Sequence, residues 1–170
     1  DDGTLVYVHG LAQRLPVIAR DLVMVDVKGV ARPVTDQRRD YWRPRISPDG
    51  SRVAVEVFDG KAENIWIVSL DTGLSTQVTF TGVLNNFLAW APDGKSIIFN
   101  SNAEGTRGIY RKPVDGSGPA DFLGVKGQTV PTDISREGTL VFSLGDQTAE
   151  RALWSMSLSE RKALEILGTP

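Results

Sequence analysis

His9 is the only histidine in the sequence, and there is no cysteine at all. A Ser-His-Asp triad would therefore have to use His9, which falls just after the first apolar run, where an exposed loop histidine is the plainer reading. There is no G-x-S-x-G elbow, no phosphate-cradling G-x-x-x-x-G-K-[ST] and no H-E-x-x-H, so no catalytic residue is assigned. Sites built from thiolates or from two imidazoles are excluded by composition. Glu56 and Asp59 form a carboxylate pair of the kind that does acid–base work. However, Glu56 sits in an alternating strand pattern and Asp59 at an Asp-Gly turn, which reads as solubility and turn chemistry. Asp49, Asp71, Asp93 and Asp115 recur along the chain, and aspartate with backbone carbonyls is calcium chemistry, yet no D-x-D-x-D-G loop holds them. They are read as turn residues that accept hydrogen bonds from the backbone, and no metal or cofactor is expected.

The remaining candidate chemistry is recognition. The run Arg38, Arg39, Asp40, Tyr41, Trp42, Arg43 concentrates the residue types enriched at protein-binding hot spots, and Asn85-Asn86 adds amides that could bond a peptide. Two readings stay open: a binding rim, or aromatics packed beneath a neighbouring element with solvated arginines around them.

What must position these residues follows from the patterning. The 170 residues are 41% apolar and 24% charged with a formal charge of −2, a globular composition with no long-range attraction for nucleic acid. No apolar run approaches the roughly 20 residues of a membrane helix, so no membrane insertion is expected. The opening "DDGTLVYVHG" has no basic segment before an apolar one, so no secretory leader is expected there.

Four segments align on an acidic-Gly turn, at Gly3, Gly50, Gly94 and Gly138, and the last three are 44 residues apart. A second column, Trp66, Tyr110 and Trp154, has the same spacing, and so does a third, Thr35 and Thr79. One Asp-Gly turn is commonplace, but three columns with one period are a repeat. In the second unit, alternation predicts strands at 44–47, 52–58, 64–70 and 76–80. Pro113 removes a ladder donor, so the third strand of the third unit should end or kink there. The segment "LSERKALEIL" falls, in repeat register, on a last turn and strand. Four strands per 40–45 residues predict an all-β fold of antiparallel β-propeller blades, about four of them, at 1–36, 43–80, 87–124 and 130–167 in one partial domain. Gly50, Gly94, Gly138, Trp66, Tyr110 and Trp154 are then structural repeat positions.

"RISPDGSRVAV…NIWIVSLDTG…TQVTF" and "LAWAPDGKSIIFNS…GIYRKPVDG" resemble the repeats of TolB-like β-propellers over nearly the whole chain. The fourth turn departs from them, with Arg136-Glu137 in place of Pro-Asp. The opening also resembles propeller regions that follow bacterial Ser/Thr kinase domains, and similar blades gate prolyl-oligopeptidase-type peptidases. The resemblance implies a non-catalytic protein- or peptide-binding scaffold, with a sensor or gating domain of a larger enzyme as the alternative. It also implies a periplasmic or other extracytoplasmic setting, although the residues themselves fix no compartment. Because TolB-like propellers have six or seven blades, a portion of a larger propeller is expected, with self-association completing the ring as the second reading. Arg38–Arg43, Asn85 and Asn86 would lie on the rim where the innermost strands begin.

Overall fold

The computed structural model describes residues 5–9, 18–145 and 151–168, with Tyr7, Val8, His9 and Glu104 described by their backbone alone. Gly3, the first turn glycine, lies outside these residues.

Among the described residues the chain is all-β, apart from a 3-10 turn at Ala103–Gly105. Its strands are β1 (Leu5–His9), β2 (Asp21–Val25) and β3 (Ala31–Pro33) in the first sheet, then β4 (Asp40–Ile46), β5 (Arg52–Phe58), β6 (Glu63–Ser69) and β7 (Ser75–Gln77) in the second. The third sheet holds β8 (Asn85–Trp90), β9 (Ser96–Ser101), β10 (Gly108–Pro113) and β11 (Asp121–Lys126). The fourth holds β12 (Thr129–Ile134), β13 (Thr139–Leu144), β14 (Ala152–Ser157) and β15 (Ala163–Leu167). Each sheet is an antiparallel meander, the form of a propeller blade; among the described residues the first has three strands and the others four.

Burial explains why period-two patterning marks these strands so clearly. Along β5, Val53, Val55 and Val57 enter a core shared with Leu22 and Met24 of the first sheet. Ala54, on the opposite face, joins Leu88, Ile97 and Phe99 of the third sheet. A third core lies between the third and fourth sheets, around Ile98, Leu123, Leu140 and Phe142. The second and third sheets are therefore covered on both faces, and the cohesion of the chain lies in these three inter-blade layers.

The β4–β5, β8–β9 and β12–β13 turns close identically, with the glycine amide donating to the carbonyl three residues back at 2.9 Å: Gly50 to Ser47, Gly94 to Ala91, Gly138 to Ser135. The three glycines have φ of 70°, 64° and 84°, a conformation that costs other residues dearly. The fourth turn keeps this geometry despite Arg136-Glu137. β10 ends at Pro113, which lacks the amide that would continue the ladder. The 158–167 segment makes a turn and then β15.

Two boundaries differ from the alternation pattern. β4 begins four residues before position 44, because a bulge between Trp42 and Arg45 lets Asp40, Tyr41 and Trp42 pair with Phe58, Val57 and Glu56. The outer strand β7 is only three residues long, ending at Gln77. His9 is the last residue of β1, paired with Asp21, rather than a residue of the following loop.

Candidate functional site at the start of the inner strands

The inner strands β4 and β8 share a local irregularity. Each has its bulge at one repeat position, and there Arg43 and Phe87, 44 residues apart, hold φ of 45° and 52°. The fourth blade has Pro131 at this position, and its register slips one step later. Bulges re-aim side chains at strand ends. Here the bulge brings the Arg43 guanidinium over the Phe87 ring, 4.3 Å from its centroid.

Beneath that stack lies a polar network. Arg43 Nη1 donates to Glu56 Oε2 at 2.6 Å and lies 3.9 Å from Glu63 Oε1. Glu56 is fully buried, and its other oxygen accepts the Phe87 amide at 2.6 Å. The surface role read for Glu56 is thus corrected: its strand face abuts the next blade, so the carboxylate ties β5 to β8. Asp59, by contrast, is exposed in a turn and accepts the amides of Lys61 and Ala62.

Asn86 donates to Glu63 Oε2 at 2.9 Å, Asn100 donates to Asn86 Oδ1 at 2.9 Å, and Thr129 Oγ1 donates to Asn100 Oδ1 at 3.1 Å. Asn85 bonds the Glu63 and Thr81 carbonyls and Asn64 Oδ1, while Ser101 donates to it. Asn85 and Asn86 are buried inter-blade connectors, which takes them out of any rim surface. Buried amides must be satisfied within the protein, and these are.

The arginine–aromatic run divides in the same way. Asp40 is buried in an ion pair with Arg20 and also accepts the Trp42 indole N–H at 2.8 Å. Tyr41 is buried in the core between the first two blades, its hydroxyl donating to the Gln37 carbonyl, and burial pushes that hydroxyl's pKa up. Arg38, Arg39, Trp42 and Arg43 keep exposed surface. Arg38 is 62% exposed and pairs with Asp21; Arg39 bonds Gln37 and lies 4.0 Å over the Trp66 ring; Arg20 lies 4.2 Å over Trp42. The sequence reading missed Arg20, Phe87 and Glu63 as members of this site. The 44-residue match of Glu56 to Asn100 was the available signal, since both reach across to the next inner strand.

In the aromatic column, Tyr110 is buried, whereas Trp66 and Trp154 are half-buried. Three of the four recurrent aspartates act as turn acceptors: Asp49 for the Ser51 amide at 3.1 Å, and Asp93 for the Lys95 amide and Asp115 for the Ser117 amide, both at 2.9 Å. Among the described residues no cluster of three metal-ligating side chains occurs.

Asp49 carries the clearest electrostatic signature of these turns. The Ser47 hydroxyl first, then the Ser51 amide, hold its carboxyl down at about 2, against an ordinary 3.8. A depressed carboxyl contributes stability that is complete above its unfolded value and lost as pH falls through the folded one. Wild type should therefore lose more thermal stability than Asp49→Asn as pH is lowered from 3.8 to about 2. Parallel melting-temperature curves for the two proteins would contradict this.

Comparison with known proteins matches residues 5–169 to the family model of the TolB beta propeller domain. An uncharacterized protein of Agrobacterium fabrum is 33% identical over 89 residues, which is 52% of this chain and 30% of that protein. A TolB-type structure from Agrobacterium tumefaciens superposes with a TM-score of 0.79 at 18% identity, covering 97% of this chain and 61% of the other. TolB from Acinetobacter baumannii gives 0.78 at 20% identity, covering 98% and 41%. A prolyl endopeptidase structure gives 0.70 at 14% identity, covering 99% and 28%. At these identities the structural likenesses show the fold. The chain spans under two thirds of each of these proteins.

Proposed function

The chain belongs to the TolB β-propeller family, and from that premise we propose that it is a non-catalytic module that binds a protein or peptide segment where its inner strands begin. The observation that carries this reading is the set of guanidinium–ring stacks at that end: Arg20 on Trp42, Arg39 on Trp66 and Arg43 on Phe87. Arginine and aromatic side chains dominate binding hot spots, and here their rotamers are held in advance by Asp40, Gln37 and Glu56. A site ordered before binding loses less side-chain entropy on association. The exposed Arg38 and the half-exposed Arg39, Trp42 and Arg43 form the contact surface in this reading, in place of the longer set that includes Asp40, Tyr41, Asn85 and Asn86.

The module works as part of a larger propeller, in an extracytoplasmic setting by analogy with the family. Leu164, Ile166 and Leu167 of β15, each more than half exposed, support a further blade or a second chain against the fourth sheet. The alternative is a gating or sensor domain of a larger enzyme, supported by the likeness to the prolyl endopeptidase structure. A hydrolase or kinase domain in the same polypeptide would decide for it.

The binding surface is tested by in-cell photo-crosslinking. A benzophenone side chain at position 38 should give discrete protein adducts, and one at position 76, on the exposed outer strand, should give none of them. Identical adduct patterns from the two positions would remove the rim reading.

A further inference from the structure

At the opposite end of the inner strands, away from the rim, β4, β8 and β12 enclose a groove of about 440 Å³. That volume lies within the range of small-molecule sites, roughly 300–1,000 Å³. The groove is built by the repeat. Its apolar floor comes from Ile46, Trp90 and Ile134, which occupy one repeat position in three successive blades. Trp90 is fixed there by its indole N–H, which donates to the Arg45 carbonyl at 2.9 Å.

Pro48 and Pro92 line the groove, and the residue at their repeat position in the fourth blade is Arg136, which lines it as well. The turn itself does not require the change, since Gly138 closes it as Gly50 and Gly94 close theirs. Arg45 stands on the other side of the groove, exposed, with a single long contact of 3.5 Å to the neighbouring Pro44 carbonyl. Among the described residues neither Arg45 nor Arg136 has a carboxylate partner, whereas Arg43, Arg52 and Arg111 each have one. Among the described residues lining the groove Asp133 is the one carboxylate, and it accepts the Ile134 amide at 2.8 Å. The lining therefore carries a net positive charge over an apolar floor.

We propose that this groove is a binding site for a small organic carboxylate with an apolar body, its acid group taken by Arg45 and Arg136 and its body laid on Ile46, Trp90 and Ile134. Arginine suits the acid group because its planar fork matches carboxylate geometry. The site is separate from the rim, and its existence does not depend on the rim reading.

The test is calorimetric titration of the intact protein with phenylacetate and with phenylacetamide, which keeps the shape and removes the charge. Saturable phenylacetate binding is expected, at least tenfold tighter than the amide. Arg136→Pro, which restores the residue of the other two turns, should weaken phenylacetate binding tenfold or more while leaving the melting temperature in place, and Arg45→Ala should do likewise. Equal binding of acid and amide, or affinities unchanged in both variants, would overturn the proposal. So would the absence of saturable phenylacetate binding up to about 1 mM.

Discussion

Replacing Arg43 with alanine is expected to lower the unfolding free energy by about 3 kcal/mol, the low end of the cost of breaking a buried ion pair. Exposure is asymmetric across this pair: Arg43 is 37% exposed, while Glu56 and Glu63 are 0% and 2% exposed. Removing the arginine leaves two buried carboxylates without the cation that lies within 4 Å of both. The backbone does not supply the loss, because alanine at a φ of 45° is strained much as arginine is. Adding Glu56→Gln should return part of the stability, since a neutral amide can still accept the Phe87 amide hydrogen without burying a charge. Urea unfolding of the single and double variants checks both statements. A single variant within 0.5 kcal/mol of wild type, the range about which surface substitutions scatter, would mean that Arg43 is a solvated rim residue after all.

The second large effect is expected at Tyr110. Its alanine variant should lose about 3–5 kcal/mol, as do buried aromatic truncations generally. Tyr110 is 1% exposed, packs on Phe99 and Phe122 with ring centroids 6.3 and 5.2 Å away, and its hydroxyl lies within 2.9 Å of the Ala103 and Thr106 carbonyls. Truncation creates a cavity between the second and third blades and deprives the 3-10 turn of its anchor. Trp66 occupies the same repeat position but is half-buried under Arg39, so Trp66→Ala should cost roughly half as much. Chemical denaturation of the pair decides the matter. Equal losses would mean that the column contributes through its repeat position alone, whatever its burial.

These two predictions also mark where sequence and structure part. The period of 44 residues, the all-β architecture and the turn glycines were all legible, because a glycine forced to positive φ and a strand packed on two apolar faces leave local, repeated marks. Gly50, Gly94 and Gly138 carry that signal without help from any distant residue. The rim was legible only in part. Arg38 and Arg39 stay at the surface as their charge suggests, but Asp40, Tyr41, Asn85 and Asn86 are buried.

By itself, then, the sequence determined the blade: four-strand patterning, the turns that close it, and the absence of cysteine or paired histidine chemistry. Tertiary structure alone decided which polar side chains are interior. In an isolated sheet with one wet face, Glu56 and Asn100 would point to solvent, and alternation would read them correctly. In a propeller each sheet lies between two others, so a polar residue on either face meets the next blade and must find its partner there. Glu56 meets Phe87, 31 residues away, and Asn100 meets Thr129, 29 residues away. No local pattern encodes such partners, because they come together only when the blades stack.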